Sequence, residues 1–529
     1  MGRTHLSRRE VLNSIALLGS GSLLLPARVL YGGSADSRPT GVIRGALLDQ
    51  ATNQPVPAKI CVTSLESGDT MFPASSIKTM PKRAPKRFFY ARGSYEIAVP
   101  TGMYQIEVVR GIAQEAITQF TTAVPGATHT VDFSIPTFLD MRGSGWYSAN
   151  THTHYHLDIE EDPDQRLRIV PPAEALDISV LSYATRNELP YPSNRYKVGR
   201  LPDFSRDGSL IDMGQETRND GGGITMGYGH CLFVNLPHIV EPVSTGVLAR
   251  TARTYTPDGK APDFPTISML AEEARRLGGV TIWCHNGSGM EMPVAVALGH
   301  VDAFNVADGQ EAIYERYYRI LNCGIRVPLS TGTDWWIYDH NRVFAQVKGD
   351  FSYEAWIAAL RGGRTFVTNG PLLFLTVNGQ GPGATVRGAD PLKVEVRTIS
   401  RVPFERVEIV LNGAVVAEQS AVKGREVRIE REIPIDDSGW IAARVAGTAK
   451  TYAGFTTFAH TSPVYIEVEG TLARKAETAG AFVDEIENFM RFIKKSYKFA
   501  GDADRALALG RFEQGRLFYA RTAAGLGVR

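Results

Sequence analysis

The feature that most constrains this chain is a change of texture that occurs twice. Between Met141 and about Phe374, short apolar runs such as Ile178-Ser179-Val180-Leu181-Ser182 and Gly279-Val280-Thr281-Ile282-Trp283 alternate with helical stretches such as Ser268 to Leu277. Strands joined by crossover helices in this way lead to a barrel or an open parallel sheet, with the functional loops at the strand C-termini. Before this region, Val42 to Leu48, Ala58 to Val62, Gly93 to Val99 and Met103 to Val109 are short segments, several of them alternating, with turn residues between them. After it the β pattern returns in Lys393 to Arg397, Arg406 to Leu411 and Trp440 to Val445. Strands at this spacing pack as sandwiches. Asn412-Gly413 predicts a tight hairpin between two of them. Near the C-terminus Phe482, Ile486, Phe489 and Ile493 recur at the helix period, which predicts a helix docked by that stripe.

The expected fold class is therefore multidomain, α/β plus β: a sandwich over 40–137, a strand-helix barrel over 141–376, a second sandwich over 377–470 and a helical segment over 471–529. A chain of 529 residues has room for about three to four domains. The first sandwich resembles the prealbumin-like or carboxypeptidase-regulatory-like modules of secreted proteins. It has no cluster of histidines and carboxylates, which suits packing or positioning. Residues 1–33 resemble a twin-arginine export signal: Ser7-Arg8-Arg9-Glu10-Val11-Leu12, an apolar stretch from Ile15 to Leu25, then Pro26-Ala27. That stretch is short and broken by Gly19, Gly21 and Pro26, so no stable membrane insertion is expected after cleavage, and the mature chain is expected in the periplasm or outside the cell. With 57 Lys+Arg against 56 Asp+Glu there is no surplus basic field, which argues against nucleic acid as the partner and leaves a small-molecule substrate. Four cysteines in a chain this long form no disulfide framework.

The chemistry concentrates in histidines. His152-Thr153-His154 follows Trp146-Tyr147-Ser148-Ala149-Asn150, and a strand there puts both imidazoles on one face, where one metal can take both. Further along the chain come Glu216 in Asp212-Met213-Gly214-Gln215-Glu216, His230 after Gly229, His285 at the end of an apolar strand, and Asp334 in Ser330-Thr331-Gly332-Thr333-Asp334. Cys231 and Cys284 adjoin two of these histidines, and strand alternation assigns both thiols to packing.

In this order, His-x-His, Glu, Gly-His, a strand-end His and Gly-Thr-Asp, the chain resembles the polymerase-and-histidinol-phosphatase (PHP) metallohydrolases. Gly332 to Val343, together with Ala359-Leu360-Arg361-Gly362-Gly363-Arg364-Thr365-Phe366-Val367-Thr368-Asn369-Gly370, is similar to the carbaryl-hydrolase-like (CehA/McbA) branch. The resemblance covers roughly residues 141 to 380. It implies a distorted (β/α)7-type barrel in which His152, His154 and Asp334 hold one divalent ion, His230 and His285 hold a second, and Glu216 bridges them. Such ligands suit zinc, manganese or iron(II). Members of this superfamily often hold a third metal. Here Arg186 stands where a ligand His is expected and Trp336 stands two residues after Asp334, so two ions are expected. His156, Asp158 and Glu160 read as a solvated loop.

Two ions bridged by a carboxylate lower the pKa of a shared water toward neutrality, which makes hydrolysis the expected reaction. Arg186 and Arg342 are candidates for the substrate anion or developing oxyanion, a structural ion pair being the other reading of each. Tyr338 and His340 are candidates for protonating a leaving group. Trp335 and Trp336 either wall a pocket or pack in the core, and His460 is read as structural. Three functions fit: a phosphoesterase, a carbamate, ester or amide hydrolase, and a secreted binding protein whose barrel has lost catalysis.

Overall fold

The computed structural model describes residues 39–79, 86–155, 162–185, 191–206, 208–220, 227–249, 261–335, 341–388, 391–421, 425–451, 454–471 and 475–526. The twin-arginine segment lies outside them. At the N-terminal side, Ser94–Pro100 shows how the first β module forms. Tyr95, Ile97 and Val99 are buried while Ser94, Glu96 and Ala98 are exposed, the period of a half-buried strand. This strand pairs with Thr40–Asp49, and a second sheet built around Pro57–Ser64 and Gly102–Val109 supplies Ile60, Val62, Ile106 and Val108 to the same core.

The His strand, Trp146–His154, starts the large sheet. Ile178–Tyr183 and Leu210–Asn219 follow in parallel order. Gly229–Val234 then runs antiparallel to Leu210–Asn219 on one side and to Val280–Trp283 on the other, which breaks a strict strand-helix repeat. Parallel order resumes through Ala303–Asn305 and Leu329–Ser330. Beyond Ser330 the chain lies against the His strand: Thr151 N donates to Thr331 O, Thr333 N donates to His152 O, and Asp334 pairs with Thr153. The sheet therefore curls until its two ends meet. Helices Pro163–Ala173, Ile267–Arg276, Met292–Ala297, Glu315–Asn322 and Tyr353–Arg361 connect or follow the strands.

Thr40–Arg529 forms one compact unit, and the large sheet runs on past the expected barrel boundary. The reason is Thr365–Thr368, which pairs with Arg342–Gln346 on one edge and with Ala459–Thr461 on the other. Leu372–Val377, placed by the sequence at the end of the barrel, instead opens the three-stranded sheet of the C-terminal module with Leu392–Ile399 and Glu426–Ile433. The Asn412-Gly413 hairpin forms with both residues at positive φ, 52° and 94°. Ala476–Ser496 buries Phe482, Ile486 and Ile493 in the core shared with the curled sheet, and Asp502–Ala523 packs beside it, with the Tyr519 hydroxyl donating to Pro293 O. No helix among the described residues is long and apolar enough to cross a membrane. All four cysteines are free and buried.

His460 has the structural role expected of it. Its Nδ1 donates to Thr461 O and its Nε2 accepts from the Tyr318 hydroxyl at 2.7 Å, tying the C-terminal module to the helix Glu315–Asn322. Burial lowers its pKa from 6.5 to about 3. As pH falls the unfolded chain takes up this proton first, so the group costs the native state about 1.4 kcal/mol per unit below pH 6.5, until pH nears 3. The stability advantage of the natural chain over His460→Gln should therefore shrink by about 2 kcal/mol between pH 7 and pH 5. Urea unfolding at the two pH values measures it, and a difference that does not change with pH would contradict it.

Candidate metal centre

All six sequence-predicted ligands converge at one rim of the curled sheet. His152 and His154 sit two residues apart at the end of the His strand, on one face as the strand period requires. His230 lies at the start of its strand, and because that strand is antiparallel to its neighbours its start shares the rim with their ends. His285 and Asp334 follow strand ends with left-handed backbones, φ 55° and 59°, which are uncommon for non-glycine residues and concentrate at functional sites. Gly332 makes the Gly-Thr-Asp segment possible. A Cβ there would come within 2.4 Å of the His152 Cβ, so only glycine lets the segment lie on the His strand. Asn150 clamps it further, donating to Thr333 Oγ1 and accepting from the backbone of His152 and Thr333.

Glu216 stands in the middle, with a different histidine pair at each oxygen. Its Oε2 lies 2.8 Å from His154 Nε2 and 3.7 Å from His152 Nε2. Its Oε1 lies 2.9 Å from His230 Nδ1 and 3.6 Å from His285 Nε2. Within each pair the facing ring nitrogens are 3.1 Å apart. Asp334 Oδ1 approaches the first pair at 3.5 and 3.8 Å. Among the described residues three sets of ligand atoms gather, each within 4.8 Å: His152, His154 and Asp334; Glu216, His230 and His285; and His152, Cys284 and Asp308.

The outer nitrogens set the chemistry of the inner ones. The Ser182 carbonyl can only accept, so His154 Nδ1 carries a hydrogen and its Nε2 presents a lone pair. Asp308 Oδ2 accepts from His152 Nδ1 at 2.8 Å, and Asp220 Oδ1 accepts from His230 Nε2 at 2.6 Å. In the first pair, His152 and His154 when neutral oppose lone pair to lone pair across 3.1 Å, which a cation relieves. Without a metal a proton serves. Burial opposes protonation, but Asp308 holds His152 well above its ordinary range, and Glu216 and Asp220 raise His230 to about 9. His154 is lowered by its burial. Glu216 is held well below the carboxylate range because Arg218 and His230 outweigh its own burial.

Three residues of this centre escaped the sequence reading. Asp308 is fully buried three residues past the end of Ala303–Asn305, and a carboxylate followed by Gly309 at a strand end was the available signal. Arg218, whose Nη2 donates to Glu216 Oε2, was legible as the next position on the Glu216 face of the same strand, and Asp220 as the residue just past the end of that strand. Trp335 walls the first histidine pair, its ring 4.8 Å from that of His154 and 5.1 Å from that of Tyr191.

Two expectations change. Arg342 is buried with its guanidinium on Glu174, Nη1 donating to the backbone oxygen at 2.7 Å, so it takes the structural reading of its two and not that of an oxyanion donor. The strand explains it: Val343 and Ala345 belong to the core of the curled sheet, which turns Arg342 and Phe344 outward. Cys284 does not turn away from the centre, since its sulfur lies within 4.8 Å of ligand atoms of His152 and Asp308. Its strand ends at Trp283, so alternation no longer governs the next residue. Burial raises the Cys284 thiol's pKa and keeps it neutral, and Cys231 packs in the core as expected. Arg186, Tyr338, His340 and Trp336, with His156, Asp158 and Glu160, lie outside the described residues.

No known protein-family profile matches the chain, and no curated protein does. Among solved structures it is weakly similar to GBS52, the minor pilin of Streptococcus agalactiae, at 14% identity over 20% of this chain and 47% of that one, TM-score 0.16. It is also weakly similar to the Bacillus anthracis TIE protein, at 6% identity over 81% and 50%, TM-score 0.14. A third likeness is to Bacteroides uniformis beta-glucuronidase 2, at 9% identity over 81% and 61%, TM-score 0.19. The chain spans about half the length of the first two, and likeness of this order says nothing about function.

Proposed function

We propose that this chain is an exported metal-dependent hydrolase of the PHP type, in its carbaryl-hydrolase-like branch, which cleaves an ester, carbamate, amide or phosphoester bond of a small molecule. The reading is carried by one observation: Glu216 presents one oxygen to the His152–His154 pair and the other to the His230–His285 pair. The donor set fits divalent zinc, manganese or iron, being imidazole and carboxylate, with the inner lone pairs of His152, His154 and His230 fixed by outer hydrogen bonds. His152, His154 and Asp334 would hold one ion, His230 and His285 the other, with Glu216 between. When bound, two such ions supply Lewis acidity and a water acidified toward neutrality.

The chain's own groups prepare that chemistry. Asp308, Ser182 O and Asp220 fix the orientation of His152, His154 and His230. Trp335 and Tyr191 wall the side next to His154, and Asp334, 17% exposed, marks the open edge. Elemental analysis of protein prepared in metal-supplemented medium should give two ions per chain. A value near three would mean that the segment His156 to Glu161 adds ligands. A value near zero would remove this reading and favour a secreted binding protein. A screen of p-nitrophenyl phosphate, a phosphodiester and carboxyl esters then separates phosphoesterase from acyl hydrolase activity.

A further inference from the structure

Arg218 is the one guanidinium placed on the bridging carboxylate among the described residues, and it is only partly used there. It is 3% exposed and its Nη2 donates to Glu216 Oε2, while its Nε is buried with no hydrogen-bond partner among the described residues. A buried donor left unmade costs about 1–3 kcal/mol, so an acceptor that enters the centre beside Glu216 gains by meeting this one. Arg218 lies on the same strand face as Glu216, two residues before Asp220 at the strand end, and its guanidinium carbon stands 6.0 Å from the half-buried ring of Trp335, next to Asp334 at the open edge.

Charge points to the kind of acceptor. With its histidines neutral, as metal ligands are, the centre holds the carboxylates of Glu216, Asp220, Asp308 and Asp334 against one arginine, a net of three negative charges from the protein. Two divalent ions would carry it to one positive charge, which an anion balances. A counter-ion for Glu216 alone needs a point charge. The planar fork instead leaves Nε to meet an oxygen beside the one already bound.

We propose that Arg218 is the residue that receives an anionic oxygen of the substrate, a phosphoryl or carboxylate oxygen or the oxyanion that develops on an acyl carbon. This rests on the hydrolase reading above and assigns to Arg218 the part the sequence suggested for Arg342.

The test uses the full chain and inorganic phosphate as probe, titrated by calorimetry into metal-loaded and into chelator-treated protein, with metal content measured on every sample. Arg218→Ala is expected to weaken phosphate binding by about tenfold or more with metal content unchanged, and Arg218→Lys to lie between it and the natural chain, because a point charge replaces the fork. Phosphate affinity unchanged in Arg218→Ala would overturn the proposal. So would loss of the metals together with phosphate binding, since Arg218 would then act only by holding Glu216. If Arg218→Ala does not fold, Arg218→Lys decides: natural phosphate affinity in that variant overturns the proposal. Should the natural chain bind no metal, the hydrolase reading fails by itself. The chelator-treated titration then still reads Arg218, and phosphate binding that is absent, or indifferent to the substitution, overturns the assignment.

Discussion

Replacing Glu216 with Gln is expected to empty both metal positions and to lower turnover by about three orders of magnitude or more. The substitution keeps the size of the side chain and removes what its position needs. The carboxylate gives one oxygen to each histidine pair, whereas the amide has one oxygen and a nitrogen that cannot accept. The change also leaves the buried Arg218 charge facing a neutral amide, and a buried ion deprived of its partner costs about 3–5 kcal/mol. Elemental analysis and turnover on whichever substrate the screen identifies are the measurements, with the unfolding midpoint as control. Asp334→Asn gives the contrast: Asp334 approaches only the first pair, so one ion should remain. A folded Glu216→Gln protein that keeps two ions would show that Glu216 does not bridge.

Glu174→Ala is expected to destabilise the fold by about 3–5 kcal/mol while leaving the metal centre's composition unchanged. Glu174 caps the helix Pro163–Ala173 and is fully buried. Its carboxylate accepts from Lys59 Nζ at 3.0 and 3.1 Å and from the Tyr90 hydroxyl at 2.8 Å, both of the N-terminal β module, and Arg342 holds its backbone oxygen. Lys59 is itself fully buried, so removing the carboxylate strands its charge inside the protein. The shift of the urea midpoint measures the effect, and Glu174→Gln, which keeps hydrogen-bonding capacity, should cost less. A loss under about 1 kcal/mol would mean that water replaces the carboxylate at no great cost.

These two residues also mark where sequence reading stops. Glu216 was found because it sits in an ordered series of motifs, each local to its strand end. Glu174 belongs to no motif, and its partner Lys59 is 115 residues away in a module that carries no catalytic signature. Asp308 is 156 residues from the histidine it orients. For Arg342, a fork of donors near a strand-end loop leaves an anion site and a structural ion pair both open, and only the sheet, which turns its side chain away from the barrel core onto Glu174, decides between them.

Residue order alone carries the short-range geometry of this chain. The period of two put His152 and His154 on one face, Asn412-Gly413 took the two positive φ values of a tight hairpin, and the 3.6-residue stripe of Phe482, Ile486 and Ile493 became the docked face of a helix. Tertiary structure alone decided which strand ends meet, that the antiparallel Gly229–Val234 brings His230 to the common rim, that Thr365–Thr368 joins the curled sheet to the C-terminal module, and that Arg218 lies on Glu216. The physical reason is that backbone sterics and side-chain period act over a few residues, whereas the closing of a curled sheet depends on the packing of every strand and helix between its ends.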